Sequence, residues 1–104
     1  MSLPVIEIPT RLRIANVTVE TKMFENTDAR SMAMGRSFTK HADIRICSDM
    51  PYETQVITYF HEMVHFILAS YSIRVDEENL EELIASAIGN ELASIIPQIV
   101  VNKQ

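Results

Sequence analysis

Thr54-Gln55-Val56-Ile57-Thr58-Tyr59-Phe60-His61-Glu62-Met63-Val64-His65-Phe66-Ile67-Leu68 is the stretch that decides the fold. Ile57, Phe60, His61, Val64, His65 and Leu68 recur at i, i+3, i+4 and i+7, the spacing of one face of an α-helix. Val56, Met63, Phe66 and Ile67 make most of the remaining circumference apolar, so the segment predicts a central helix covered on most sides. Both histidines fall within the apolar face. Four residues apart, His61 and His65 point the same way, and each can offer a ring nitrogen to one metal ion. Glu62 lies beside them without being forced into the coordination shell, where it can take a proton from water.

A lone histidine on an apolar face is commonly a core residue satisfied by one backbone hydrogen bond. Two at this spacing around a glutamate differ, because burying both imidazoles and a carboxylate costs several kcal/mol unless something compensates. A metal ion is the simplest compensation. Chance alone places His-Glu-x-x-His in about half a percent of shuffled chains with 3 His, so the motif is specific.

Working outward, Ser48-Asp49-Met50-Pro51 breaks the chain before the helix, Thr54 is the expected N-cap, and the helix should run to about Tyr71. Upstream, Leu12, Ile14, Val17 and Val19 lie in a β-branched stretch whose alternation breaks at Ala15-Asn16, predicting a turn or a bulge. Residues 25–34 read as loop or short helix, and Gly35 as a turn. Residues 36–39 and 42–47 read as two short strands, the second with Ile44 and Ile46 on one face. Downstream, Glu77 to about Ile96 reads as a second helix that Pro97 stops or kinks. The expected class is α+β: one domain, residues 1–104, with a small twisted sheet from the first half packed on the histidine helix and a C-terminal glutamate helix.

A catalytic zinc site has three protein ligands and one open position, so a third donor must come from elsewhere. His41 is the only other histidine and Cys47 the only thiol, while the second helix opens with Glu77, Glu78, Glu81 and Glu82. Acids there also complement the helix dipole, which accounts for most of them. Helical phase separates the rest. Glu82 shares its face with Ala85, Ser86, Gly89 and Ala93, a strip of small residues that lets the two helices approach closely. Glu81 sits over the bulkier Ile84, Ile88 and Leu92 and is the alternative, with Glu78 and His41 behind it. Gly89 costs about 1 kcal/mol relative to Ala in mid-helix, and a close approach is a reason to keep it.

Composition narrows the function classes. A chain of 104 residues at 47% hydrophobic and 22% charged is that of an ordinary globular domain. A formal charge of −5 without a Lys/Arg cluster argues against nucleic acid. The apolar runs are interrupted, the longest near Ile95 to Val101, so no membrane span is expected. The single Cys47 and an N-terminus without signal-sequence character suggest a reducing, cytoplasmic setting.

From about Ile14 onward the chain resembles the small gluzincin-type zinc metallopeptidases, including minigluzincins and the compact zincins of phages and prophages, and more distantly the ImmA-type enzymes. The resemblance rests on His61-Glu62-Met63-Val64-His65 and on Glu82-Leu83-Ile84-Ala85-Ser86 with Ile88-Gly89 and Leu92. It implies a zincin-like fold, Zn²⁺ held by His61, His65 and Glu82, and peptide hydrolysis with Glu62 as general base. Ser86 stands where many relatives carry Asp or Asn supporting the first histidine, so a weaker or absent hydrogen bond is implied there. Tyr71, Tyr59 and His41 are available as transition-state donors. The resemblance also implies an extended peptide or protein substrate along an edge strand, here residues 42–47. Leu3 to Pro9, bounded by prolines, is a candidate cover for the cleft. The competing class is a non-catalytic interaction protein of phage or mobile-element origin on a zinc-binding scaffold, which would have no use for Glu62 as a base. Oligomeric state is not readable from the sequence.

Overall fold

Ala15 and Asn16, where the alternation breaks, are the two-residue loop of a hairpin joining β1 (Arg11–Ile14) to β2 (Val17–Phe24). The computed structural model describes residues 6–25, 35–38 and 43–102. Both loop residues have positive φ, 50° and 65°, the twist that lets a two-residue loop join strands without splaying them. The register pairs Ile14 with Val17 and Leu12 with Val19, which puts all four on one face. Ile14 and Val19 are buried there.

β3 (Gly35–Phe38) and β4 (Asp43–Cys47) complete a four-stranded sheet in the order β1-β2-β4-β3. Gly35 opens a strand rather than forming a turn. β4 runs parallel to β2 and antiparallel to β3. The expectation that residues 42–47 offer a free edge is therefore corrected. β4 has a hydrogen-bonded neighbour on each side, consistent with Ile44 and Ile46 being 0% exposed. The edges of this sheet are β1 and β3. Residues 26–34, read as loop or short helix, and residues 39–42, with His41, lie outside the described residues.

α1 (Tyr52–Ser70) contains the histidines, and its start corrects the expected cap. Pro51 occupies the N-cap position and accepts the Gln55 N–H at 3.0 Å, leaving Thr54 inside the first turn. The Gln55 amide reaches back to the carbonyls of Met50, at 2.8 Å, and Ser48, at 3.3 Å, tying down the chain entering the helix. Val56, Ile57, Thr58, Val64 and Ile67 are β-branched and poor helix formers, so packing must hold this helix together. Val56, Tyr59, Phe60 and Phe66 meet Ile14, Val19, Ile44 and Ile46 in the core. Ile6 and Ile8 pack against the same core, and the Tyr52 hydroxyl donates to the Ile6 carbonyl and accepts from the Ile8 N–H. The described part of the segment considered as a cleft cover is thus anchored at the start of α1, about 13 Å along the helix axis from His61.

α1 ends in a Schellman turn. Ser72, at φ 56°, donates to the Ala69 carbonyl at 3.1 Å, and Ile73 donates to that of Leu68 at 2.8 Å. A left-handed backbone suits Gly, so Ser72→Gly should stabilise the fold by about 0.5–1 kcal/mol. Calorimetry should then show a melting temperature about 3–6 °C higher. A decrease would mean that this turn is formed differently in solution.

α2 (Glu78–Asn102) packs on the side of α1 that carries the histidines, so α1 lies between the sheet and α2. Pro97 neither stops the helix nor ends it near Ile96. Its ring fixes a φ compatible with a helix, and Leu92, Ala93 and Ile96 pack against the core just before it, so the chain forgoes one hydrogen bond and continues. By length and composition alone, Asn79–Val100 is long and apolar enough to cross a membrane, which the reading of interrupted apolar runs did not anticipate.

Candidate metal centre

The two helices meet across a glycine. A Cβ on Gly89 would lie 2.9 Å from the backbone nitrogen of His61 and 3.0 Å from its Cα, so only a residue without a side chain lets α2 come this near. Ala85, one turn earlier, is fully buried. The strip of small residues thus has the role expected of it, and it brings Glu82 over the histidines.

His61, His65 and Glu82 converge. The two Nε2 atoms are 3.2 Å apart, and Glu82 Oε2 is 3.2 Å from His61 Nε2 while its Oε1 is 2.9 Å from His65 Nε2. Donors held at zinc distance in a tetrahedron are about 3.3 Å apart, so the spacing is that of three ligands around one ion. These residues form a group able to hold a metal ion. Glu82 is the more open, with 57% of its side chain exposed against 20% and 15% for His61 and His65.

The opposite ring nitrogens decide whether the donor set fits. Glu81 places Oε2 2.7 Å from Nδ1 of His65. A carboxylate only accepts, so Nδ1 carries a hydrogen toward Glu81, and Nε2 is the nitrogen left to act as a ligand where it faces Glu82. Ser86 Oγ lies 3.4 Å from Nδ1 of His61, a longer and weaker version of the same support, as implied by serine at this position. With Nδ1 of His65 turned to Glu81 and Nδ1 of His61 to Ser86, the two Nε2 atoms and the Glu82 carboxylate face one another, a set of donors that could hold a cation. The residues therefore fit a metal ion.

Sequence phase ranked Glu81 as an alternative ligand, and the structure instead sets it behind His65. Phase assigns a residue to a helix face without fixing how far the helix is rotated toward its neighbour. Glu81→Ala should weaken zinc binding about 10–100-fold, with Glu81→Gln recovering part of it through its carbonyl oxygen. Competition against a zinc-chelating dye measures both, and undiminished affinity in Glu81→Ala would remove this orienting role.

Glu62 follows His61 on α1 and is partly buried. Tyr59 does not reach this side. It is 4% exposed within the core, stacked edge-on against Phe60, and burial pushes its hydroxyl pKa up while a hydrogen bond with Thr21 on β2 opposes the rise. It is corrected to a core residue, because the helix turns it toward the sheet. Tyr71 caps α1 and is 63% exposed. Beside His65, a cleft of about 490 Å³ runs under the α1–α2 connection, its walls including Ala69, Ile73, Arg74, Asp76 and Glu81. Arg74 was not anticipated, since a lone arginine in a polar link gives no periodic signal.

No family model, curated protein or solved structure matches the chain.

Proposed function

We propose that this protein is a zinc-dependent peptidase with a minimal zincin-type arrangement, in which His61, His65 and Glu82 hold the ion and Glu62 is the general base. The observation that carries the reading is the convergence of His61 Nε2, His65 Nε2 and the Glu82 carboxylate within 2.9–3.2 Å, with Glu81 at the back of His65. Zinc bound there would lower the pKa of a coordinated water and polarise the carbonyl of a peptide.

The chain's own groups divide the remaining work. Glu62 accepts the proton of the attacking water and delivers it to the leaving amine. Glu81 and Ser86 hold the imidazoles in the tautomer that keeps Nε2 available. An extended peptide adds to the edge of β3, which lies against α1, so that backbone pairing holds it regardless of sequence. The cleft beside His65 receives a side chain next to the scissile bond, with aliphatic walls at Ala69 and Ile73 and a charged rim at Arg74 and Asp76.

The test compares metal content and cleavage of a mixed peptide library between wild type and Glu82→Ala. Wild type should bind one zinc and cleave, and Glu82→Ala should lose both, with zinc affinity reduced more than 100-fold. Equal zinc content in the two proteins would overturn Glu82 as a ligand. Zinc binding without cleavage of any peptide would favour a binding protein on a metal-stabilised scaffold over a peptidase.

A further inference from the structure

Arg74 is the only Lys or Arg between Tyr52 and Asn102, a span in which acids are frequent. It stands in the wall of the cleft beside His65 and is exposed. Among the described residues its side chain makes no ion pair and no hydrogen bond, even with Asp76 two residues on. Nor does it cap α1, whose last carbonyls at Ile67, Leu68 and Ala69 are taken by the backbone N–H groups of Tyr71, Ile73 and Ser72. The two acids of the same cleft have other work. Glu81 is held by Nδ1 of His65 at 2.7 Å, and Asp76 precedes the first turn of α2, where a negative charge complements the helix dipole. Arg74 is thus a guanidinium beside the candidate metal centre with no structural task.

We propose that Arg74 is a specificity residue that binds a carboxylate of the substrate. The peptide's placement rests on the function proposed above, with the scissile bond at His61, His65 and Glu82. Ala69, in the same wall, lies one turn beyond His65, about 6 Å along the helix axis. Two residues of extended chain span that distance, so the carboxylate lies within about two residues of the scissile bond. The planar guanidinium offers paired N–H donors that match the two oxygens of a carboxylate. Asp76 and Glu81 repel an anion elsewhere in the cleft, which confines acceptance to the position beside Arg74. The carboxylate is either the C-terminus of the peptide or the side chain of an Asp or Glu within it.

Fluorescence anisotropy with Glu62→Gln tests this apart from catalysis. Three N-terminally labelled peptides share one otherwise uncharged sequence: one with a free C-terminal carboxylate, one amidated, and one amidated with Glu in place of a Gln. A charged peptide should bind about 10–100-fold more tightly than the neutral one. Preference for the free acid assigns the C-terminus, and preference for Glu assigns the side chain. Adding Arg74→Ala should bring the ratio to about one while the neutral peptide binds as before, a selectivity that general damage to the fold would not produce. Arg74→Lys should keep part of the preference. Equal binding of charged and neutral peptides, a preference that survives Arg74→Ala, or binding of no peptide would each overturn the proposal. Cleavage by the wild type without a carboxylate preference would sink the role of Arg74 and leave the peptidase standing, and a preference lost in Arg74→Ala without any cleavage would do the reverse.

Discussion

Glu62→Gln should leave zinc content at the wild-type level and lower peptide cleavage about 10²–10⁴-fold, the range a positioned base contributes. Glutamine keeps the size and one hydrogen-bonding oxygen but cannot take the water's proton. Because the group that could hold an ion is His61, His65 and Glu82, with Glu62 proposed as the base, the substitution should split binding from chemistry. Zinc titration and single-turnover cleavage of one library peptide measure the two halves. Wild-type cleavage by Glu62→Gln would end the proposed mechanism, while loss of zinc would place Glu62 in the ion's own shell.

Gly89→Ala sets two known effects against each other. Helix propensity favours alanine by about 1 kcal/mol. Against it stands a Cβ that would lie 2.9 Å from the His61 backbone nitrogen, a backbone atom that cannot swing aside. Forcing extra volume into a packed contact costs about 1–3 kcal/mol, so the net should lie between neutral and about 2 kcal/mol destabilising, a melting temperature lower by up to about 10 °C. The more telling readout is metal. Parting the helices carries Glu82 away from the imidazoles, and zinc affinity should fall at least tenfold. A rise in melting temperature with unchanged affinity would show that α2 does not lie this close to α1.

The centre of the molecule could be read in the sequence because local rules govern it. The i, i+4 spacing of His61 and His65 and the small residues around Gly89 are consequences of helical geometry alone. What escaped was set by tertiary pairing. The run ending at Cys47 reads as a strand, but nothing in it tells an inner strand from an edge, and the insertion of β4 between β2 and β3 follows from long-range contacts. Pro97 is a breaker by local preference, and the burial of Leu92 and Ile96 outweighs it. Tyr59 shares a helix with the histidines yet faces the sheet, one side chain among several aromatic candidates whose phase alone left both directions open.

α1 is a partition wall. Its one surface seals the hydrophobic interior through Tyr59, Phe60 and Phe66, and its other carries His61 and His65. Among the described residues the sheet contributes nothing to the group that could hold a metal ion, and α2, with Glu81, Glu82 and Ser86, supplies its complement. Substitutions around His61 and His65 can therefore accumulate on one side of a single helix while the interior on the other side keeps its packing, so the group between the helices can change without the fold first being rebuilt.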